Sequence, residues 1–330
     1  MRAPACGAVH MSGGAKIAVR VAEVVEVNAL IRRFRFVPLD GRPLPAFSGG
    51  AHTVVEMDDH GTRRLNPYSL MSDPEDTSGY EISVRRDDQG RGGSLFLHRH
   101  ARPGMEMVIS NPINLFPLDV RAKKTLMIAG GIGITPFLAQ IAQLSRHGGR
   151  FELHYAARSP ALGAYMDRLT AAHPGRVQCY FDDQGQQIDL GRVLSMQPIG
   201  THLYVCGPKG MINWVLGTAE RMGWPKGALH HEEFLAPGIG LPFQVQLAAS
   251  GKTITVGPAQ SLLEAIEAAG VDAPYLCRGG ACGQCETNVL ACDGQILHRD
   301  HWLTPEDAAS GTRIMPCVSR FEGKTLVIDR

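Results

Sequence analysis

The chain is predicted to be multidomain: an antiparallel β-barrel, then a Rossmann-like α/β domain, then a small α+β domain of β-grasp type. Three observations carry this expectation: alternating short strands and frequent turns before residue 118, an uncharged run from Thr125 to Ser145, and a C-x4-C-x2-C cluster from Cys277 to Cys285 with a further thiol at Cys317. At 330 residues, 44% hydrophobic and with formal net charge +1, the chain is long enough for two or three domains with real cores. That balance excludes a strongly basic nucleic-acid surface.

In the first region Asn66-Pro-Tyr68-Ser69-Leu70-Met-Ser72 ends a strand. An aromatic there can stack on a flat ring system, and the adjacent hydroxyl can bond a ring nitrogen. Downstream, Arg91-Gly92-Gly93-Ser94 precedes a segment, 95–100, that can open a helix, which makes an anion nest. Taken singly, the first is only a strand end and the second only a turn. His98 and His100 are expected on a solvated helix face, and Met105 and Met107 in the barrel core.

The uncharged run begins the second region. Lys124-Thr-Leu-Met-Ile-Ala reads as a buried parallel strand, and Gly130-Gly131-Ile-Gly133-Ile-Thr135-Pro136 as a turn opening a helix, with Thr135 as N-cap and Pro136 in the first turn. Its glycines and Pro136 argue against a membrane span. Gly131 and Gly133 let backbone amides approach a pyrophosphate, although a G-x-G loop alone is equally a structural turn. Strands at 151–157 and 201–205 follow at βαβ spacing, the second running into Cys206-Gly207-Pro208, and ligands of open α/β sheets sit at such strand ends. Cys206 there can flank a nicotinamide or serve as a small core hydrophobe. Arg158-Ser159 ends the second strand, where an acid would bind ribose hydroxyls and an arginine would accept a 2′-phosphate.

The third region carries the most specific pattern. C-x4-C-x2-C…C is the plant-type [2Fe-2S] spacing, which needs four thiolates and a small-residue loop. Structural zinc also uses four cysteines but brings them as two close pairs, and here the distal pair is missing. Cys317 is preferred to Cys292 as fourth ligand, because Cys292 follows Cys285 too closely. Strands at 243–247, 253–256 and 325–328 and a helix at 261–269 complete a ferredoxin-like segment. It holds 7 Lys and Arg against 10 Asp and Glu, net −3, so an acidic cluster domain could dock on a basic surface. The N-terminal stretch has no apolar signal core, so a reducing, cytoplasmic compartment is expected. His230-His231-Glu232-Glu233 could be drawn as a metal site, but adjacent side chains rarely converge on one ion.

In this order, Tyr-Ser-Leu, Gly-Gly-Ser, Gly-Gly-Ile-Gly-Ile-Thr-Pro, Cys-Gly-Pro and the cysteine domain resemble the phthalate dioxygenase reductase family of the ferredoxin–NADP reductase-like superfamily, over about residues 16–330. The resemblance implies a flexible N-terminus (1–15), a six-stranded flavin barrel (16–118), an NAD(P)-binding domain (119–234), a linker (235–242) and a ferredoxin domain (243–330). It implies that Tyr68, Ser69 and Leu70 contact the isoalloxazine, and that Gly92, Gly93 and Ser94 hold the flavin phosphate. Gly131, Gly133, Thr135 and Pro136 would hold the dinucleotide phosphates, with Arg158 and Ser159 at the ribose and Cys206, Gly207 and Pro208 beside the nicotinamide. Phe234 would lie near the flavin face that NADH must reach, so that Ser69, Cys206 and Phe234 form the catalytic set; Cys277, Cys282, Cys285 and Cys317 would bind metal. Asn66 stands where the family has arginine, so the phosphate's cation must come from elsewhere: Arg64, Arg63 or Arg85. An Asn there is similar to carnitine-type Rieske monooxygenase reductases.

The implied function is the reductase of a Rieske-type oxygenase or demethylase, a monomer without membrane or nucleic-acid partners. It would take a hydride from NADH (alternatively NADPH) onto FMN (alternatively FAD) and pass single electrons through [2Fe-2S] to the terminal oxygenase. The rival functions are a stand-alone diaphorase or ferric reductase, and a flavin/iron-sulfur redox sensor.

Overall fold

Alternating burial along β1 (Lys16–Asn28) and β2 (Ile31–Pro38) shows one face turned inward, and Val19, Val21, Phe34 and Phe36 on that face are fully buried. The computed structural model describes residues 16–330, so the flexible stretch expected at 1–15 lies outside the described residues; the chain forms two compact units, one of Ile17–Phe234 and one containing Leu235–Arg330.

The first unit opens with a curled antiparallel sheet. To β1 and β2 it adds β3 (Ala51–Asp59), β4 (Thr62–Ser69), β5 (Tyr80–Arg85), β6 (Glu106–Ser110) and the short β7 (Ile113–Asn114), with α1 (Gly93–His100) between β5 and β6. The strand order is β4-β3-β6-β1-β2-β5, with β7 beside β3. Six strands follow this path as expected, but no ladder joins β4 to β5 among the described residues, so the expected barrel is a half-barrel. Met107 is buried in its core and Met105 packs against it. His98 corrects the surface expectation: its Nε2 lies 2.8 Å from the Val84 carbonyl, because the helix lies across β5 rather than in solvent.

A parallel sheet follows in the same unit, in the order β10-β9-β8-β11-β12. Its elements in chain order are β8 (Lys124–Gly130), α2 (Thr135–Arg146), β9 (Phe151–Ala157), α3 (Met166–Ala172), β10 (Val177–Phe181), α4 (Leu190–Ser195), β11 (Thr201–Cys206), α5 (Lys209–Arg221) and β12 (Leu229–Glu232). Central β8 is apolar because both its faces are covered: Leu126, Met127, Ile128 and Ala129 are all 0% exposed. The order reverses between β8 and β11, which opens the ligand crevice of an open α/β sheet at their carboxyl ends. The half-barrel meets this layer through α2, where the Gly49 N–H donates to Gln143 Oε1 at 2.7 Å, and Gln140 Nε2 donates to the Phe116 carbonyl at 2.7 Å.

The second unit contains β13 (Phe243–Leu247), β14 (Lys252–Val256), α6 (Leu262–Ala268), β15 (Thr287–Cys292), β16 (Gln295–Leu297), α7 (Pro305–Ser310), β17 (Arg313–Ile314), β18 (Arg320–Glu322) and β19 (Thr325–Ile328). Its main sheet runs β14-β13-β19-β15-β17, a mixed β-grasp arrangement with β13 and β19 parallel. A capping box starts α6: the Glu264 N–H donates to Ser261 Oγ at 3.1 Å, and the Ser261 N–H to Glu264 Oε2 at 2.8 Å. No helix of the described residues is long and apolar enough to cross a membrane.

Candidate functional site

Three buried polar atoms lie without partners at the end of the β3–β4 pair: Tyr68 Oη, Ser69 Oγ and His52 Nε2. His52 stands opposite Ser69 in register, so both side chains occupy the same face of the sheet. A buried polar group without a hydrogen bond costs about 1–3 kcal/mol, and a heteroaromatic ring bearing donors and acceptors would remove that cost. Burial pushes the His52 pKa down to about 4 and raises that of Tyr68, so both groups are neutral at physiological pH. The sequence reading missed His52; the signal was an imidazole inside the otherwise apolar strand Ala-His-Thr-Val-Val. Leu70 can meet a ligand only through its backbone. Its side chain is fully buried in the half-barrel core, and its N–H donates to the Ala51 carbonyl at 2.8 Å, which leaves only its carbonyl for a ligand.

The phosphate candidates form a cradle around the start of α1. Gly92 has φ +101, and a Cβ there would stand 2.9 Å from the Arg64 guanidinium. A Cβ on Gly93 would stand 2.6 Å from the Asn66 amide. Arg64 and Asn66, two residues apart on β4, thus flank the loop that the sequence singled out. Arg64 is held there by Asp59 at 2.8 Å and by the Arg91 carbonyl, whereas Arg85 is exposed at the end of β5 and Arg63 pairs with Glu56 at 2.7 Å. Ser94 Oγ accepts from the Asp87 N–H at 3.1 Å and fastens the preceding loop. With neutral orphaned acceptors and donors at one end and a cationic amide-lined nest at the other, these residues fit a flavin phosphate.

At the crevice, residues Gly131–Ile134 wind as a single 3₁₀ turn that runs directly into α2. This corrects the N-cap expectation for Thr135. The early winding makes Thr135 the first residue of the helix, and its hydroxyl donates back to the Ile132 carbonyl at 3.0 Å. Pro136 follows it, buried. The Tyr155 hydroxyl anchors the turn through the Gly131 carbonyl at 2.9 Å, and the turn also packs beside β5 of the half-barrel. A Cβ on Gly133 would stand 2.3 Å from the Cys206 carbonyl oxygen, so the loops after β8 and β11 touch backbone to backbone. Gly207 and Pro208 continue that second loop into α5.

Cys206 is 0% exposed, and burial raises its thiol pKa well above the ordinary value, so it acts as a neutral packing group rather than a thiolate. Its register partner on β12 is Glu232, whose Oε2 is buried without a partner and whose pKa burial pushes up to about 8. The sequence reading weighed Glu232 only as part of a metal site, since an acid in His-His-Glu-Glu-Phe gives no sign of which carboxyl turns inward. Phe234, two residues on, is 48% exposed. Arg158 is exposed and Ser159 half-buried at the end of β9, and the Arg158 carbonyl accepts from the Asp183 N–H at 3.0 Å, bringing Asp182 and Asp183 alongside.

Glu232 makes stability depend on pH. The folded carboxyl keeps its proton up to about pH 8, whereas an unfolded glutamate releases it near pH 4.3. Its stabilising contribution is therefore complete below about pH 4.3 and declines, by at most about 1.4 kcal/mol per pH unit, as pH rises through the folded value. Glu232→Gln should flatten the decline between about pH 6 and pH 8 in urea titrations. An unchanged slope would show that Glu232 is ionised in the native protein.

In the second unit Cys277, Cys285 and Cys317 are buried and Cys282 half-buried, while Cys292 is exposed and bonds only toward Gly294. The sulfurs associate as Cys277 with Cys282 and Cys285 with Cys317. Contact with the Cys282 thiol, together with the amides of Gly279, Ala281 and Cys282, holds Cys277 down to about 5. The Gly279 N–H donates to Cys277 Sγ at 3.3 Å. Four thiols gathered by one tight loop and its return, with an amide directed at Cys277 Sγ, fit a four-thiolate iron-sulfur cluster. Arg278, with φ +51, reverses the chain inside this loop, and its buried guanidinium lies against Glu267 and 3.8 Å over the Tyr275 ring. Glu267→Ala would strand that cation and should cost about 3–5 kcal/mol of this unit's stability in chemical unfolding followed by visible circular dichroism; a loss under about 1 kcal/mol would mean the pair is solvated.

Comparisons with known proteins agree with this geometry. Residues 108–229 match the family described as "Dimethylamine monooxygenase subunit DmmA-like, N-terminal domain", and residues 245–322 match "2Fe-2S iron-sulfur cluster binding domain". The chain is 44% identical to a carnitine monooxygenase reductase subunit of Acinetobacter baumannii, over 94% of this chain and 96% of the relative. It is also 44% identical to the heme-dependent oxidative N-demethylase beta subunit of Ectopseudomonas mendocina, over 94% of this chain and 98% of that one. Among solved structures, phthalate dioxygenase reductase, described as a modular structure for electron transfer from pyridine nucleotides to [2Fe-2S], superimposes with a TM-score of 0.86 at 35% identity, covering 96% of this chain and 98% of that one. With a half-barrel, a nucleotide crevice and a four-cysteine domain on one polypeptide, the chain belongs to the phthalate dioxygenase reductase family and is a flavin-, nicotinamide- and [2Fe-2S]-dependent oxidoreductase.

Proposed function

We propose that this chain is the reductase component of a Rieske-type oxygenase or demethylase, drawing on NADH through FMN and acting as a cytoplasmic monomer. The observation that carries the reading is the presence, on one chain, of a flavin and nicotinamide unit together with a four-cysteine domain; a diaphorase would not need the latter. When bound, a nicotinamide supplies electrons in pairs, a flavin accepts pairs and releases them singly, and a [2Fe-2S] cluster carries one at a time. The protein's part is to position and to tune. His52, Tyr68 and Ser69 offer neutral polar groups to the flavin ring, Arg64 and Asn66 close its phosphate nest, and Gly131–Pro136 with Cys206–Pro208 line the dinucleotide crevice. We assign the cluster to Cys277, Cys282, Cys285 and Cys317, and domain limits to 16–118, 119–234 and 243–330.

FMN is favoured by the Gly-Gly-Ser form of the nest. NADH is favoured because Asp182 and Asp183 lie beside Arg158 at the ribose position, where negative charge opposes a 2′-phosphate. Anaerobic titration of the purified protein with each nicotinamide tests both the carriers and the donor. Bleaching by about three electrons per chain at much lower NADH than NADPH is expected, with FMN in the heat-released extract. Equal response to NADPH would overturn the donor, and a spectrum without iron would overturn the carrier chain.

A second reading concerns the acceptor. The 44% identity to a heme-dependent oxidative N-demethylase subunit favours a haem-containing demethylase as strongly as the equal identity to the carnitine relative favours a monooxygenase partner. NADH-driven reduction of a Rieske centre, but not of a haem demethylase, would decide for the first.

A further inference from the structure

Asp119, His202 and His230 each offer one ligand atom, and the three atoms lie within 4.8 Å of one another. They come from different elements: Asp119 precedes β8, His202 is on β11 and His230 on the edge strand β12. His202 Nδ1 is 2.9 Å from His230 Nε2 and 3.7 Å from Asp119 Oδ2. The cluster is built rather than incidental. The His202 and Asp119 side chains are each only 12% exposed, Tyr204 stacks on His230 at 4.3 Å between centroids, and the Tyr204 hydroxyl accepts from the Asp119 N–H at 2.7 Å. A cavity of about 280 Å³, lined by residues 115–119, 230 and 231, opens beside it.

We propose that Asp119, His202 and His230 bind a divalent cation of the zinc class, separate from the cysteine cluster. Two imidazoles and a carboxylate are a common zinc donor set, and the cavity leaves the fourth position to water. Bonds of about 2.0–2.1 Å from tetrahedral zinc place two nitrogens about 3.3 Å apart, so the rings need to part by only a few tenths of an ångström. The ion would replace the hydrogen bond that now joins the two rings. The competing group is Arg121, which holds Asp119 through contacts of 2.9 and 2.6 Å, yet its side chain is 78% exposed and free to swing into solvent. A bound ion would tie β12 to β11.

The test is equilibrium dialysis of the iron-replete holoprotein against Zn²⁺, with zinc and iron both quantified. Wild type is expected to bind one zinc per chain that His230→Gln does not, with iron unchanged. Arg121→Ala, at an exposed position, should bind that zinc about three- to fivefold more tightly, because the ion pair no longer competes. His100→Gln, at an exposed position of the Asp59–His60–His100 cluster, should retain it. Equal stoichiometry in wild type and His230→Gln would overturn the proposal. Should His230→Gln not fold, Arg121→Ala decides: unchanged affinity there, or loss of the zinc in His100→Gln, overturns it.

Discussion

Cys277→Ser is expected to silence electron delivery to a terminal oxygenase while leaving nicotinamide-driven ferricyanide reduction within about twofold of wild type, since ferricyanide takes electrons from a flavin directly. The separation follows from the architecture. Cys277 belongs to the second unit, whose core is its own cluster of Phe243, Val245, Leu262, Ile266, Phe321 and Leu326, whereas all the flavin and nicotinamide candidates lie within Ile17–Phe234. The Gly279 N–H already donates to Cys277 Sγ at 3.3 Å, and a serine at this position supplies no thiolate. The checks are iron content, the electron paramagnetic resonance signal of the reduced protein, and both acceptor assays. Loss of ferricyanide reduction with flavin content preserved would mean that both activities run through the cysteines. Full oxygenase reduction would show that Cys277 is not a ligand. Cys292→Ser, at an exposed position outside the sulfur group, should change none of these readings.

The parts legible in the sequence are those in which chemistry fixes spacing. Four thiolates on one cluster demand a tight loop and one distant return, so the C-x4-C-x2-C…C pattern located its domain directly. The strand-turn-helix at Lys124–Arg146 was legible for a similar reason: a buried parallel strand must be apolar throughout, and a backbone that approaches phosphate needs glycine. What stayed hidden depends on burial across chain-distant elements. His52 becomes notable only once β4 sets Ser69 opposite it, and Glu232 only once β11 sets Cys206 beside it. In the same way, Asn66 read in sequence as a missing cation. In the fold it is one side of the cradle over Gly93, with Arg64 two residues earlier forming the other. Leu70 and Thr135 illustrate the converse, since a motif names positions without saying which atoms face a ligand: the Leu70 side chain lies in the half-barrel core, and the Thr135 hydroxyl donates to the Ile132 carbonyl.

Gly133→Ala should separate backbone fit from backbone freedom in the crevice proposed to hold the nicotinamide. The added Cβ would meet the Cys206 carbonyl oxygen at 2.3 Å, the Cys206 carbonyl carbon at 2.5 Å and the Gly207 nitrogen at 2.8 Å, all backbone atoms that cannot turn aside as a side chain would. The loops after β8 and β11 must therefore move apart at the point where the strand order reverses. A displacement of about 1 Å in a positioned site costs about 100-fold in rate, and overpacking of this kind costs about 1–3 kcal/mol of stability. NADH-driven ferricyanide reduction should accordingly fall about 100-fold in kcat/KM. Flavin content should be retained, because the flavin candidates lie on β3, β4 and α1. Gly131→Ala is the matched control. Gly131 has φ +54 but nothing within 4 Å of an added Cβ, so alanine meets only the left-handed backbone penalty of about 1–2 kcal/mol. If both variants lose activity equally, the turn's left-handed conformation governs the site; if neither does, the crevice between β8 and β11 is not where the nicotinamide binds. A loss confined to Gly133→Ala places the reacting end of the nucleotide over the Cys206–Gly207 peptide, where a neutral thiol and a protonated Glu232 keep charge away from it.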